Sequence, residues 1–173
     1  MEDTAIENLK IVKGLLDKLG IVFWLEAGTL LLAYRDGKMD TTDIDISVYS
    51  TLDVLPHLWM FEENGFTIHH IFGEGEPTEI SLKRNGVKID IWPKLFRDGQ
   101  VWWLAYSNKP IPQHVDEKHC KTLDTLEIWG EKWNIPSDVE GYLKANYGDW
   151  KTPNSNWNWK TDPKSIDYDW SLK

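Results

Sequence analysis

Two aspartates near the start of the chain have the spacing of metal ligands. Asp43 and Asp45 alternate with Ile44 and Ile46, which is the pattern of a half-buried strand. Side chains two residues apart on a strand leave the same face, about 7 Å apart along the backbone. Carboxylates on one small surface repel one another, so we expect a cation between them. Mg²⁺ suits such oxygen ligands and shares phosphate oxygens of a substrate, and Mn²⁺ is an alternative ion.

Asp90 is the candidate for a third carboxylate. It lies on the polar face of a second alternating segment, Val87–Trp92, which follows the hairpin-type dipeptide Asn85-Gly86. A charge among apolar neighbours is costly unless it is paired. Asp90 therefore either completes the metal site and accepts a proton from an attacking hydroxyl, or forms a salt bridge with Lys88 or Lys83.

Gly28 and Thr29 have the features of a phosphate-binding turn. They precede a short predicted helix, Leu30–Tyr34; glycine lets the backbone approach an anion, and free N–H groups at a helix start attract it. Arg35 and Lys38 follow and are placed to neutralise a transferring phosphoryl group. Two plainer readings stay open: a Gly-Thr pair is a common helix cap, and Arg35 can lie over the helix end.

The histidines and the cysteine give weaker indications of a metal site. His69 and His70 are consecutive on a predicted strand, so they point to opposite faces and are poorly placed to bind one ion together. His114 and the pair His119-Cys120 lie in a predicted loop with no well-spaced fourth ligand. We expect structural or surface roles for these residues. The single cysteine excludes an intramolecular disulfide and a cysteine-based zinc cluster.

Helices and strands alternate along the chain and must position these residues. Hydrophobic periodicity predicts further helices over 3–19, 52–64 and 137–146, the last opened by a capping box from Ser137 to Glu140. Single strands are predicted over 21–25, 43–49, 66–72, 78–84 and 87–92, and hairpins over 96–104 and 126–135. Residues 105–122 and the Trp-, Asn- and Pro-rich stretch from Gly148 are predicted to be irregular.

The composition limits the class of protein. A length of 173 residues predicts a single domain over 1–173. The formal net charge of −9, without a Lys/Arg-rich block, argues against nucleic-acid binding. An acidic N-terminus without an apolar signal core, and the absence of an apolar run of about 18 residues, predict no membrane insertion and a cytoplasmic location. The 11 tryptophans suit packing surfaces or sugar-like ligands.

Two segments of the chain resemble a known family. The Gly28-Thr29 pair, with thirteen residues between it and Asp43-Ile44-Asp45-Ile46, matches the signature of the nucleotidyltransferase superfamily. More narrowly, AGTLLLAYRDGKMDTTDIDI resembles the corresponding segment of the LicD and fukutin family, and IPSDVEGYLKANYGDWKTP resembles that family's C-terminal segment. The two segments occur in the family's order and span about residues 23–153.

The resemblance implies a fold and an activity. The fold would be mixed α/β, with a nucleotidyltransferase-like mixed β-sheet flanked by helices, β-hairpins, and a C-terminal helix and irregular tail over about 137–173. The activity would be the Mg²⁺-dependent transfer of a phospho-alcohol, such as phosphocholine or a polyol phosphate. The donor would be a CDP-linked, nucleotide-activated small molecule, and the acceptor a hydroxyl of a glycan or similar molecule.

The resemblance also implies roles for individual residues. Asp43 and Asp45 would be metal ligands and Asp90 the third carboxylate. Gly28 and Thr29 would contact donor phosphates, and Arg35 matches the family's arginine. The chain departs from the family at Thr41, where another aspartate is often found, with Asp40 as the available replacement. It also lacks the cysteine-based zinc element of fukutin-related relatives.

Two other functions fit the same residues. A nucleotidyltransferase would use these carboxylates to place NMP on a small molecule or a protein. A catalytically degenerate domain would bind a ligand or a protein without turnover. The departure at Thr41 keeps the second of these alternatives open beside an active transferase.

Overall fold

A five-stranded mixed sheet is the central element of the computed structural model. The structure describes residues 1–106 and 109–170, and at residue 106 it describes only the backbone. In spatial order its strands are β1 (Phe23–Leu25), β2 (Asp43–Val48), β5 (Val87–Pro93), β4 (Glu79–Arg84) and β3 (Thr67–Phe72). The pair β2–β5 is parallel, and the other neighbouring pairs are antiparallel. The predicted strands are therefore present, and the Asn85-Gly86 turn joins β4 to β5 as predicted.

The two faces of this sheet differ in chemistry because the side chains of its strands alternate. One face is apolar, and its fully buried side chains from β2, β4 and β5 are Ile44, Ile46, Ile80, Leu82, Ile89 and Ile91. The helix α1 (Glu2–Leu19) covers this face with Leu9, Val12 and Leu16. The opposite face carries the polar residues of the same strands. Burial of the isoleucines fixes the register, because a slip of one residue would bury the polar residues instead.

The helix α2 (Ala27–Asp36) begins earlier than the sequence predicted. Gly28 and Thr29 lie inside its first turn rather than in a turn before it. Glu26 is the N-cap, and its carboxylate accepts a hydrogen bond from the amide of Ala27 at 3.1 Å. Ala27 has a φ of 44°, a left-handed value that is unfavourable for a residue with a Cβ. The chain thus turns sharply from β1 into α2.

The predicted helix over 52–64 is shorter in the structure. A 3₁₀ turn, Leu55–His57, precedes α3 (Leu58–Glu63). Pro56 has no N–H group to donate, which explains why the regular helix starts after it. The last helix, α4 (Val139–Tyr147), lacks the predicted capping box. Its N-cap is Asp138, whose carboxylate accepts from the amide of Gly141 at 3.1 Å.

The prediction that residues 105–122 are irregular was wrong, because this range contains a strand. A three-stranded antiparallel sheet is formed by β6 (Leu95–Arg97), β7 (Gln100–Tyr106) and β8 (Pro110–Asp116). Pro110 and Pro112 concealed β8 in the sequence; proline is tolerated there because β8 lies at the edge of its sheet. A 3₁₀ turn, Glu117–His119, follows β8. The predicted hairpin near Gly130 is confirmed as β9 (Leu123–Ile128) and β10 (Glu131–Pro136).

The described residues after Gly148, 149–170, are irregular, as predicted, and lie against β8. The hydroxyl of Ser165 donates to Gln113 at 2.8 Å, and the amide of Asp167 donates to the carbonyl of Pro112 at 2.9 Å. Among the described residues, none of the helices combines the length and the apolar character needed to cross a bilayer.

Candidate active site

The structure brings Asp43, Asp45 and Asp90 together on the polar face of the central sheet. In the parallel pairing of β2 with β5, Asp45 lies opposite Asp90 and Asp43 lies opposite Lys88. One carboxylate oxygen from each aspartate lies within 4.8 Å of the other two. Asp90 is buried, with 3% of its surface exposed, while the other two are half-buried. We refer to these three residues as the carboxylate triad.

Lys88 is an ion-pair partner of the triad. Its ammonium lies 2.5 Å from Oδ2 of Asp90 and 3.2 Å from Oδ1 of Asp43. Burial alone would lower the pKa of Lys88, but the hydrogen bond to Asp90 and the charges of both aspartates outweigh it and raise that pKa. The salt bridge considered from the sequence therefore exists, and it lies inside the carboxylate cluster rather than replacing it.

The triad is short of positive charge even with Lys88 present. Burial, and then the charges of Asp43 and Asp90, raise the pKa of Asp45 well above its ordinary value. Burial and the charge of Asp90 also raise the pKa of Asp43, against the opposing effect of Lys88. A cation would relieve this repulsion. Three carboxylates with converging oxygens and a half-open side form a ligand set that fits Mg²⁺ or Mn²⁺.

The first turn of α2 lies directly against Asp45. A Cβ added at Gly28 would meet Oδ2 of Asp45 at 3.7 Å, so the helix backbone is in contact range of the carboxylate. Thr29 is fully buried, and its hydroxyl accepts a hydrogen bond from the amide of Asp45 at 2.8 Å. Thr29 therefore fixes α2 to β2, and Gly28 brings the helix backbone close to Asp45 without a side chain between them.

Arg35 and Lys38 lie elsewhere. Arg35 follows Gly28 by seven residues, which places it about 10 Å further along the helix axis. Its guanidinium binds Asp36 at 2.7 Å and the carbonyl of Trp150 at 3.0 Å. Lys38 is exposed in the loop after α2. The structure thus connects Arg35 to the Tyr-Gly-Asp-Trp segment, so the two segments that carry the family resemblance touch each other.

A buried ion pair behind α2 was not predicted from the sequence. The ammonium of Lys94 lies 3.3 Å from Oε2 of Glu26, and the exposed fractions of the two side chains are 1% and 5%. Glu26 also accepts hydrogen bonds from Tyr142 at 2.6 Å and from Ser47 at 3.1 Å. The ammonium lies 3.5 Å from the ring centre of Trp103. The sequence did contain one indication of this buried pair, because Lys94 interrupts an otherwise apolar run from Ile91 to Phe96.

The electrostatics of this network follow from burial. Burial lowers the pKa of Lys94, against the raising effect of Glu26. Burial, and then the charge of Glu26, raise the pKa of Tyr142 well above its ordinary value. Because Glu26 caps α2, this network positions the helix start that lies against Asp45.

His70 and Glu79 also lie beside the triad, although the sequence indicated only a structural role for His70. Nε2 of His70 lies 2.6 Å from Oε1 of Glu79, and both residues have a ligand atom within 4.8 Å of one on Asp90. Burial, and then the charge of Asp90, raise the pKa of Glu79. Ser81 donates a hydrogen bond of 2.5 Å to Oδ1 of Asp90. The sequence indicated the polar face of this strand, because Glu79 and Ser81 alternate with Ile80 and Leu82 on the strand that precedes Asp90.

The other residues considered as metal ligands have structural partners. His114 stacks on Trp102 with ring centres 4.3 Å apart, and His119 pairs with Asp138 at 2.6 Å. Cys120 is buried, and burial raises the pKa of its thiol to about 12. These contacts agree with the structural roles expected for them.

A cavity of about 990 Å³ lies further along the polar face of the sheet. Tyr49, which lines it, directly follows the end of β2 and lies four residues after Asp45, about 13 Å along the extended chain. Trp102, Trp103 and Leu104 from β7 form an aromatic and apolar wall, and polar groups at the rim include Thr78 and Gln100. Lys94 also lines the cavity, so it connects this space to the network behind α2.

The comparison with protein families gives a match over most of the chain. The family model described as LicD/FKTN/FKRP, nucleotidyltransferase domain, matches residues 20–138. "Ribitol-5-phosphate transferase FKTN" of Mus musculus is 30% identical over 169 residues, covering 94% of this chain and 36% of the relative. "Ribitol 5-phosphate transferase FKRP" of Homo sapiens is 24% identical, covering 82% of this chain and 30% of the relative. The chain thus spans about a third of the length of these relatives.

Solved structures of low sequence identity share the fold. The lincosamide antibiotic adenylyltransferase LnuA, bound to lincomycin, superposes with a TM-score of 0.54 at 18% identity, over 83% of this chain and 87% of that chain. ANT(2")-Ia in complex with adenylyl-2"-tobramycin gives a TM-score of 0.55 at 17% identity, over 90% of this chain and 82% of that chain. The predicted mixed α/β nucleotidyltransferase fold is confirmed.

Proposed function

The chain belongs to the LicD/FKTN/FKRP nucleotidyltransferase-domain family, and from this membership we propose that it is a transferase with a divalent metal at the carboxylate triad. It moves a phospho-alcohol from a nucleotide-activated, CDP-linked donor to a hydroxyl of a glycan or similar acceptor. The names of the curated relatives, ribitol-5-phosphate transferases, favour a polyol phosphate as the transferred group. The observation that carries the proposal is the convergence of Asp43, Asp45 and Asp90 beside the first turn of α2.

The triad would hold the metal. Its oxygens converge within 4.8 Å and are left with unbalanced negative charge, so the ligand set fits Mg²⁺, with Mn²⁺ as an alternative. A bound ion of this kind neutralises charge on the transferring phosphoryl group and aligns the diphosphate of the donor. Asp43 and Asp45 on β2 would supply oxygens from one strand, and Asp90 on β5 would supply one from the neighbouring strand; the pairing of these strands supports this assignment.

Asp90 would also orient the acceptor hydroxyl and take its proton. It is held on two sides, by the hydroxyl of Ser81 and the ammonium of Lys88, so its carboxylate has a fixed direction. The first turn of α2, with Gly28, would receive a donor phosphate through its N–H groups. Thr29 would fix that turn to Asp45. Arg35 and Lys38, predicted to contact the phosphoryl group, stay predictions; the contacts of Arg35 favour a scaffold role.

The acceptor would enter through the cavity lined by Tyr49, which lies about 13 Å along the chain from Asp45. A sugar has apolar C–H faces and polar hydroxyl edges, which match the tryptophan faces and the hydrogen-bonding rim of this space. Tyr49 directly follows β2, the strand of Asp45, so an acceptor bound there would extend along this strand toward Asp90. The aromatic wall comes mainly from β7, with Trp170 as the contribution of the C-terminal stretch.

Turnover of CDP-linked donors tests the proposal. Purified protein is incubated with CDP-ribitol, CDP-glycerol or CDP-choline and an oligosaccharide acceptor, with and without Mg²⁺, and CMP release is measured. Asp45→Asn should reduce the rate by about 100-fold or more, because the metal and its charge are lost. Asp53→Asn, an exposed aspartate outside the triad, should leave the rate unchanged. Equal rates in wild type and Asp45→Asn would refute the metal role.

Product analysis separates the alternatives. A phospho-alcohol transferase releases CMP, whereas a nucleotidyltransferase leaves the nucleotide on the acceptor. Donor labelled in the base distinguishes these outcomes by the label recovered on the acceptor. Binding of Mg²⁺ and CDP in calorimetry, without turnover of any donor, would instead indicate a degenerate ligand-binding domain.

A further inference from the structure

A second group of metal-binding side chains shares Asp90 with the triad. His70, Glu79 and Asp90 each place one ligand atom within 4.8 Å of the others. We propose that these three residues form a second divalent-cation site, distinct from the Asp43–Asp45 side of the triad. The inference deepens the proposed function, since both sites meet at Asp90, and it rests on that function only for its relevance to catalysis.

The backbone of the sheet builds this second site. Ser81 on β4 pairs with Asp90 on one side and with His70 on the other, so the three residues form one row across β5, β4 and β3. Glu79 precedes Ser81 by two residues and therefore leaves the same face. The positions of the ligands follow from strand register rather than from long, flexible side chains.

An irregularity in β3 aligns His70 with this row. Ile68 pairs with Leu82, but His70 rather than His69 pairs with Ser81, so the register shifts between Ile68 and His70. A bulge of this kind re-aims the side chains that follow it and is common beside active sites. Without the extra residue, His69 would lie opposite Ser81. The shift thus places His70, rather than His69, on the face that carries Asp90.

The charge of the region favours a second cation. Glu79 and Asp90 are both nearly inaccessible, with 4% and 3% of their surface exposed, and their carboxylates are close enough to interact. Asp43 and Asp45 add two further carboxylates next to them, whereas Lys88 supplies the ammonium within this group. Several buried carboxylates near one another are costly unless cations balance them.

The donor set predicts which ions would bind. The Asp43, Asp45 and Asp90 side offers oxygen alone and fits Mg²⁺. The second site adds an imidazole nitrogen, which favours ions such as Mn²⁺, Fe²⁺, Co²⁺ or Zn²⁺. We therefore infer a site for a transition-metal ion at His70, Glu79 and Asp90. Mn²⁺ is a suitable probe because it binds both oxygen and imidazole ligands and is paramagnetic.

Electron paramagnetic resonance with Mn²⁺ alone tests the site without turnover. Counting free Mn²⁺ in a titration of cation-free protein should give two bound ions per chain. Pulsed measurements should detect coupling of bound Mn²⁺ to a ¹⁴N nucleus, which reports an imidazole ligand. His70→Ala should lose one ion and the coupling, and Glu79→Gln should also lose one ion. His69→Ala, the neighbouring exposed histidine, is the matched control and should retain both.

The outcomes distinguish this site from the proposed function. Asp45→Asn should keep the nitrogen-coupled ion while losing the other, because Asp45 belongs only to the triad. The absence of nitrogen coupling in wild type, or coupling that persists in His70→Ala, would overturn the inference. A single nitrogen-coupled Mn²⁺ that is lost in His70→Ala would support the second site and count against an ion at the triad. Two ions with nitrogen coupling but no turnover of any donor would refute the proposed function and leave the second site in place.

Discussion

Asp45 and Asp90 lie opposite each other on two parallel neighbouring strands, β2 and β5, with the carboxylates directed to the same face. Thr29 binds the amide of Asp45, and Ser81 binds the carboxylate of Asp90. The buried hydroxyl of Thr29 therefore fixes the backbone of Asp45, and the buried hydroxyl of Ser81 fixes the carboxylate of Asp90. The two carboxylates thus stay close together on one face of the sheet, and we propose that a cation balances their charge.

Divalent cations should stabilise the folded protein through the triad. Mg²⁺ that binds only the folded state at about 100 times its dissociation constant adds about 2.7 kcal/mol to the free energy of unfolding. The melting temperature of wild type should rise with Mg²⁺ in differential scanning fluorimetry, and that of Asp45→Asn should not. Asp53→Asn should respond like wild type because this residue is exposed and outside the triad. An equal response in Asp45→Asn would show that the ion binds elsewhere.

The buried pair of Glu26 and Lys94 should be costly to break from one side. Lys94→Met leaves the carboxylate of Glu26 buried without its cation, which lowers the free energy of unfolding by about 3–5 kcal/mol. The double variant Glu26→Gln/Lys94→Met removes both charges and should recover part of this loss. Urea unfolding of the wild type, both single variants and the double variant gives the coupling energy. Simple addition of the two single effects would argue against a coupled pair.

Much of the carboxylate site could be predicted from the sequence because the alternation of side chains on strands is regular. Asp45 and Asp90 each lie between two isoleucines, and Asp43 precedes Ile44. Burial of these isoleucines leaves the aspartates on the opposite face. The family resemblance added the order of the segments. The parallel pairing that places Asp45 opposite Asp90 is a long-range contact, and no local pattern specifies it.

The remaining features depend on tertiary contacts or on local exceptions to a pattern. Glu26 could not be identified as the centre of a network, because Lys94 and Tyr142 reach it from distant elements. His70 faces Asp90 after a register shift that alternation alone does not reveal. The strand β8 contains two prolines, and they are tolerated because the strand lies at a sheet edge. Each error arose where the surroundings outweighed local propensity.

Arg35 should contribute to stability more than a similar arginine on the surface. Its guanidinium binds Asp36 and the carbonyl of Trp150, and its side chain is 15% exposed. Arg35→Ala removes the charged hydrogen bond to the C-terminal segment, which should lower the free energy of unfolding by about 1.5–3 kcal/mol. Arg97, paired with the adjacent Asp98 but 72% exposed, is the matched control. Arg97→Ala should change stability by less than about 0.5 kcal/mol.

Turnover by the same two variants separates a scaffold role of Arg35 from contact with the phosphoryl group. If Arg35 only holds the C-terminal segment, Arg35→Ala should lower the melting temperature while retaining most of the rate at a temperature where it is folded. Loss of the rate by about 100-fold or more in fully folded Arg35→Ala would support the phosphoryl contact instead.

The cation-free protein should lose stability as the pH rises above the ordinary carboxyl range. Burial and neighbouring charges raise the pKa values of Asp43, Asp45 and Glu79 in the folded state. The folded state therefore holds protons that the unfolded state has already released. Stability falls with pH between the unfolded and the folded pKa values, and the penalty is fully present above the folded ones.

The difference between wild type and Asp45→Asn isolates the contribution of Asp45 to this pH dependence. Thermal unfolding in a chelator is followed from about pH 5 to about pH 8, above the ordinary aspartate pKa of about 3.9. The carboxyl pKa values that are lowered by local partners, including that of Asp36 beside Arg35, lie below this window and do not contribute. The melting temperature of wild type should fall with rising pH, and that of Asp45→Asn should fall less. Mg²⁺ should reduce the loss in wild type, because the ion favours the ionised carboxylates that repel one another without it.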